Sequence, residues 1–67
     1  MNPKESGAKI KRLRESLGLT QTQLAEQVGV SVSSICQYES GDKIPRDKVK
    51  MRLAEVLGRT TNYIFFK

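Results

Sequence analysis

Histidine is absent from this 67-residue sequence, and cysteine occurs once, at Cys36. Without histidine the chain lacks the usual general base and the usual zinc ligand, so acid–base catalysis and zinc binding are disfavoured. A single cysteine excludes an internal disulfide. We therefore expect no enzyme activity, no metal ion and no cofactor.

Long apolar runs are also missing from the chain. No segment approaches the roughly 18 residues that a membrane span requires, and the N-terminal stretch lacks the apolar core of a signal peptide. Aromatic residues make up 6% and charged residues 28% of the chain, a composition typical of a globular helical unit. Because so short a chain cannot form a second core, we expect one cytoplasmic domain over residues 1–67, with no membrane partner.

Start and stop signals along the chain predict five helices. Asn2 and Pro3 begin the first, over about 3–17, because asparagine accepts a cap hydrogen bond and proline lacks the N–H that would go unpaired there. Gly18 ends it, since glycine adopts the left-handed closing conformation without a steric penalty. The other helices are bounded by Thr20 and Gly29, by Ser31 and Gly41, by Arg46 or Asp47 and Gly58, and by Thr60 at the start of the fifth.

Apolar residues recur at steps of three and four, which predicts one buried face on each helix. The tight glycine-containing turn between the second and third helices makes a helix-turn-helix. The expected core comprises Ile10, Leu13, Leu17, Leu24, Ala25, Val28, Ile35, Tyr38, Val49, Leu53, Val56, Leu57, Ile64 and Phe65.

The stretch LGLTQTQLAEQVGVSVSSICQYESG, residues 17–41, resembles the helix-turn-helix of the phage repressor and Cro family, also called the xenobiotic-response-element family. Pro45 in the following loop and LAEVLG in the fourth helix extend the resemblance over nearly the whole chain. The resemblance implies a compact, all-α, lambda-repressor-like domain of five helices. Its third helix lies in the DNA major groove, and its second helix crosses above towards the phosphates.

The resemblance also implies the residues that contact double-stranded DNA. Glutamine pairs with adenine and a valine methyl meets the thymine methyl, so A·T contacts are expected. The base-reading residues are Val32, Ser33, Cys36 and Gln37, and the phosphate contacts are Gln21, Ser34, Ser40, Lys43 and Arg46. At Cys36 we favour a small side chain that suits close packing over a redox switch. At Tyr38 we favour a position in the core over stacking on bases.

The net charge of +5 is unevenly distributed, because residues 15–42 contain four acids and no base. This pattern predicts a neutral reading helix, with phosphates held by the flanking cations. For Lys9, Lys11 and Arg12 a solvated face is favoured over specific contacts. By the resemblance, Arg14 and Glu39 instead form a partly buried structural ion pair.

One such domain reads about half an operator, so the resemblance implies a homodimer, at least on DNA. A monomer whose locally folded C-terminus covers the core is an open alternative. We expect no separate oligomerisation or ligand-sensing domain in this chain. The candidate dimer surface consists of Arg59, Thr60, Thr61, Tyr63 and Phe66.

The sequence thus predicts a transcriptional regulator, a repressor that occupies a palindromic operator. We expect it to be encoded by a bacterium or phage and to associate with the nucleoid when bound. Two other functions stay open at this point. One is a protein-interaction module, such as the antidote of a toxin pair, and the other is a nonspecific nucleic-acid binder that uses charge alone.

Overall fold

A computed structural model describes residues 2–66, which form five helices and no strand. The helices are α1 (Pro3–Ser16), α2 (Gln21–Val28), α3 (Val32–Ser40), α4 (Asp47–Leu57) and α5 (Thr61–Phe65). The predicted five-helix, all-α fold is confirmed. Met1 and Lys67, which belong to the expected domain 1–67, lie outside the described residues.

The helices begin at the predicted capping residues. The Asn2 side chain accepts hydrogen bonds from the backbone N–H groups of Lys4 and Glu5, at 3.0 and 3.3 Å. Ser31 caps α3 and Thr60 caps α5 in the same manner. Because each cap satisfies an N–H group that has no partner inside the helix, local sequence fixes where these helices start.

The core draws large side chains from every helix. At most 1% of the surface of Ile10, Leu24, Ile35, Leu53 or Ile64 is exposed. These five residues come from α1 to α5 in order, so each helix contributes its predicted apolar face to a single cluster.

The prediction that Leu17 belongs to the core is wrong, because 52% of its surface is exposed. The expectation extended the apolar spacing of Ile10 and Leu13 by one more turn. Helix α1 instead ends at Ser16, and Leu17 is its C-cap, followed by Gly18 with φ +73°. The Leu17 N–H still donates to the Leu13 carbonyl at 3.2 Å, but the chain turns at Gly18, so Leu17 lies at the end of the helix, outside the buried cluster.

Helix α1 crosses the C-terminal half of α3 at Gly7, with direct backbone contact. A methyl group added at Gly7 would overlap the carbonyl oxygen of Tyr38 and would lie 2.5 Å from that of Glu39. No side chain fits at this crossing. The contact supports α3 from behind and leaves its opposite face open to solvent.

Candidate nucleic-acid interface

The turn between α2 and α3 is fixed by hydrogen bonds at both of its ends. Gly29 has φ +87°, and its N–H and that of Val30 both donate to the Ala25 carbonyl, at 2.8 and 3.0 Å. On the other side, the Ser31 hydroxyl accepts from the Ser34 N–H at 3.1 Å. Since glycine adopts a positive φ without strain, the chain reverses here within three residues.

The outer face of α3 gathers the four predicted base-reading residues. Ile35 and Tyr38 point into the core, and the opposite face exposes side chains at steps of one, three and four. Val32 is 41% exposed although it is apolar. The exposed residues are Val32, Ser33, Cys36, Gln37 and Ser40. This face is uncharged and offers donors, acceptors and methyl groups, which are the groups that contact base edges.

Glu39 is the single acid of α3, and the fold withdraws it from this surface. Its side chain is 4% exposed and accepts hydrogen bonds from Arg14 Nε at 2.6 Å and from Arg14 Nη2 at 3.1 Å. The ion pair implied by the resemblance is therefore present. The hydrogen bond to Glu39 raises the pKa of Arg14, against the opposing effect of burial, so the guanidinium stays charged.

The same network ties three helices together. Arg14 Nη1 donates to the Leu19 carbonyl at 2.8 Å, next to the start of α2. Gln21 Nε2, at the first position of α2, donates to Glu39 Oε1 at 3.0 Å. Sequence reasoning assigned Gln21 to a phosphate and missed this second partner, because nothing in the local sequence shows that Gln21 and Glu39 meet.

The N-terminus of α2 is also arranged to accept an anion. The Thr20 hydroxyl accepts from the Gln23 N–H at 3.0 Å, and the Gln23 side chain accepts from the Thr20 N–H at 2.9 Å. This capping box leaves the N–H groups of Gln21 and Thr22 at the helix end, where the helix dipole favours negative charge.

The predicted phosphate contacts beyond Gln21 are of two kinds. Lys43 and Arg46 are exposed cations in the loop after α3. The hydroxyl groups of Ser34 and Ser40 already have partners within the protein. Ser34 Oγ lies 3.0 Å from Ser31 Oγ, and Ser40 Oγ lies 3.0 Å from Asp42 Oδ2. Ser34 accepts from Ser31 and keeps its own hydroxyl hydrogen for another acceptor, whereas Ser40 donates to the Gln37 carbonyl and to Asp42. The two cations are therefore better placed than Ser40 to bind phosphate without rearrangement.

A second exposed surface lies on α4 and α5, away from the outer face of α3. Met51 is 62% exposed and lines a groove together with Thr61 and Phe66, which is 47% exposed. Sequence reasoning missed Met51, whose apolar side chain falls outside the buried stripe of α4. Arg59 and Thr61 line an adjoining groove that Met51 also borders.

Tyr63 and Thr60 of the candidate dimer surface have local roles. Lys9 Nζ and the Arg59 guanidinium lie 5.3 and 4.9 Å from the centre of the Tyr63 ring. Thr60 Oγ1 accepts from the Tyr63 N–H at 3.0 Å. The structure thus brings Thr61, Phe66 and Arg59 together around Met51, whereas Thr60 and Tyr63 make contacts within the chain and stay exposed.

Two other kinds of feature are absent from residues 2–66. No group of three or more carboxylate or thiol side chains is placed to hold a metal ion in this range. None of the described helices has the length and apolar character needed to cross a membrane.

Comparison with known proteins gives matches to one family model and to several transcriptional regulators. Residues 10–64 match the model of the helix-turn-helix family. An HTH-type transcriptional regulator of Methanothermobacter thermautotrophicus is 44% identical over 50 residues, which cover 75% of this chain and 72% of that protein. The cryptic phage CTXphi transcriptional repressor RstR of Vibrio cholerae is 34% identical over 44 residues, covering 66% of this chain and 39% of that protein.

Some relatives are much longer than this chain. An HTH-type transcriptional regulatory protein of Pyrococcus furiosus is 40% identical over 50 residues, 75% of this chain, but the match spans only 16% of that protein's length.

Solved structures match the fold over nearly its whole length. The P22 c2 repressor in complex with a synthetic operator superimposes with a TM-score of 0.88 at 27% identity, covering 92% of this chain and 96% of that chain. The clp gene regulator ClgR of Corynebacterium glutamicum also reaches 0.88, over 96% of this chain and 68% of that chain. At 23% identity, this second likeness concerns the fold alone.

Proposed function

Because this chain belongs to the Cro/C1-type helix-turn-helix family of DNA-binding transcriptional regulators, which are not enzymes, we propose that it is a repressor acting as a homodimer on a palindromic operator. The observation that carries the proposal is the uncharged outer face of α3, with exposed cations in the loop that follows it. The site of action is the cytoplasm, on bacterial or phage DNA.

In this proposal the outer face of α3 contacts the bases. Gln37 is exposed in the second turn of α3 and can form a bidentate pair with adenine N6 and N7. Val32, at the start of the helix, can meet a thymine methyl group. Ser33 and Cys36 lie beside them and complete a surface that favours A·T pairs over the guanine contacts of arginine.

The groups around this face contact the phosphates of the DNA backbone. Lys43 and Arg46 neutralise phosphates on one side, and the N-terminus of α2 with Gln21 binds a phosphate on the other. Ser34 donates its hydroxyl hydrogen to a phosphate, and Ser40 joins these contacts when its hydroxyl group exchanges partners. Phosphate contacts of this kind fix the orientation of α3 in the groove without specifying sequence.

The exposed groove around Met51 supports the dimer. Met51 and Phe66 present two large exposed apolar side chains along one groove, which Thr61 also lines. A second copy related by a twofold axis would cover this patch. The dimer would then carry two α3 helices for two half-sites, which in such operators lie about one turn of DNA, roughly 34 Å, apart. Arg59 borders the patch, Thr60 caps α5, and the Tyr63 ring contacts Arg59.

Repression is favoured by the relatives and by the simplicity of the mechanism. Two similar proteins are repressors by name, RstR and the P22 c2 repressor, and the latter was solved with an operator. Occupying a promoter excludes polymerase by steric competition and needs nothing beyond DNA binding.

Selection of bound duplexes from a random DNA pool tests the proposal. We expect an inverted repeat containing A·T pairs, with half-sites about 10 base pairs apart. Phe66→Ser should weaken binding to the full repeat while leaving binding to an isolated half-site unchanged. Recovery of no common sequence would refute specific recognition and leave charge-only binding or a protein partner as the function.

A further inference from the structure

The buried ion pair lies directly behind the proposed phosphate contact at the start of α2. We propose that Glu39 is a positioning residue for DNA binding, which orients the Gln21 side-chain amide so that it donates a hydrogen bond to a phosphate. This proposal rests on the DNA-binding function proposed above. It assigns to the Arg14–Glu39 pair a role in the interface in addition to its role in stability.

Hydrogen-bond chemistry fixes which end of the Gln21 amide faces Glu39. Glu39 Oε1 accepts from Gln21 Nε2 at 3.0 Å and from Arg14 Nη2 at 3.1 Å. An ionised carboxylate has no hydrogen to donate, so only the nitrogen end of the amide can satisfy it. The amide oxygen is consequently turned away from the carboxylate.

The same chemistry determines what Gln21 can offer to DNA. Phosphate oxygens also only accept, so Gln21 can bind a phosphate only through an N–H group. Its amide nitrogen carries two, and Glu39 uses one. Because the amide is planar, holding one N–H fixes the direction of the other before DNA arrives. A donor that is already ordered loses less side-chain entropy when it binds.

Arg14 allows a carboxylate to occupy this place. An unpaired Glu39 so close to the backbone of DNA would repel the phosphate that Gln21 is to bind. The Arg14 and Glu39 side chains are 10% and 4% exposed, and Arg14 contributes two hydrogen bonds to the carboxylate. The charge of Glu39 is thereby balanced inside the protein while its acceptor oxygen still holds Gln21.

Two double variants separate positioning from stability. The apolar double variant, Arg14→Met with Glu39→Met, replaces the pair by apolar side chains, an exchange that folds commonly tolerate, and it removes the acceptor for Gln21. The amide double variant, Arg14→Met with Glu39→Gln, also removes both charges but keeps an amide oxygen at position 39. Gln21→Ala removes the phosphate contact itself. Circular dichroism verifies that each variant is folded.

The readout is the affinity for the selected operator in which single phosphates are replaced, one at a time, by uncharged methylphosphonates. For the wild type, replacing the phosphate at the α2 N-terminus should weaken binding about tenfold, the value of one hydrogen bond to a charged group. Gln21→Ala and the apolar double variant should lose most of this sensitivity, and the amide double variant should regain it. The phosphate that Lys43 contacts serves as the control in every variant. It is the phosphate whose replacement weakens binding by the wild type but not by Lys43→Ala.

Two results would overturn the positioning role. The apolar double variant could keep the full wild-type sensitivity at that phosphate, or the folded amide double variant could lose that sensitivity as completely as the apolar double variant does. A wild type that binds no selected sequence would instead refute the DNA-binding proposal itself.

A measurement on the unmodified protein covers the case in which the variants do not fold. Without DNA, the NMR order parameter of the Gln21 side-chain amide should approach that of rigid backbone, about 0.85. The exposed side chain of Gln27, in the same helix, is the comparison and should be much lower. Equal mobility of the two amides would contradict positioning by Glu39.

Discussion

Gln37 and Glu39 lie two positions apart on α3 and have opposite environments. Gln37 is exposed on the face proposed to read bases, whereas the Glu39 carboxylate is buried against Arg14 and Gln21. At the scale of single residues, this arrangement explains how a helix containing an acid can approach a polyanion. The negative charge is balanced behind the helix, and neutral groups remain in front.

Arg14→Met alone should lower the free energy of unfolding by about 3–5 kcal/mol, because it leaves the buried Glu39 carboxylate without its charge partner. The double exchange of Arg14 and Glu39 for Met should cost much less. Urea unfolding at pH 7 measures both, since the arginine guanidinium is charged at that pH. Arg12→Met, at an exposed position of the same helix, is the control and should stay within about 0.5 kcal/mol. Equal losses in the single and double variants would show that the loss does not come from an unpaired buried charge.

At the scale of helices, local signals in the sequence account for most boundaries. Asn2, Thr20, Ser31 and Thr60 cap their helices as predicted, because a cap depends on residues two or three positions away. Leu17 was misplaced because periodicity alone does not show where a helix stops before a glycine. The contact of Gly7 with α3 was not predictable either, since it joins residues far apart in sequence.

Gly7→Ala should lower the free energy of unfolding by about 1–3 kcal/mol, although alanine is the better helix former. The added methyl would meet backbone carbonyl oxygens of α3, which cannot move aside as a flexible side chain would. Thermal unfolding measures the change. Ala8→Ser, on the exposed neighbouring position, provides the matched comparison and should be close to neutral. A Gly7→Ala protein as stable as wild type would mean that α1 and α3 lie farther apart than described.

At the scale of the whole molecule, charge and apolar surface are separated. The cations proposed to bind phosphate border the outer face of α3, and the exposed apolar side chains of Met51 and Phe66 meet on α4 and α5. The sequence predicted the first group through the family resemblance. It did not predict Met51, because the meeting of α4 with α5 depends on tertiary packing and not on local pattern.

Lys43→Ala should reduce the slope of log affinity against log salt concentration by about 0.9, the value for one phosphate contact. Arg12→Ala is the control, because Arg12 lies on the exposed side of α1 opposite Ile10 and its replacement removes the same charge. Its slope should match that of wild type. Titrations of one operator at several salt concentrations give both slopes. Equal reductions by the two variants would indicate that only total charge matters, as in nonspecific binding.

The most direct test of base recognition by α3 compares wild type, Gln37→Ala and Gln27→Ala on the selected operator and on a copy with one A·T pair exchanged. Wild type and Gln27→Ala should prefer the original by about tenfold, within the range expected of one bidentate base contact. When the exchanged pair is the one that Gln37 contacts, Gln37→Ala should bind the two duplexes with equal affinity. If Gln37→Ala keeps the full wild-type preference at every A·T position of the operator, Gln37 does not read a base and the proposed mode of recognition is wrong.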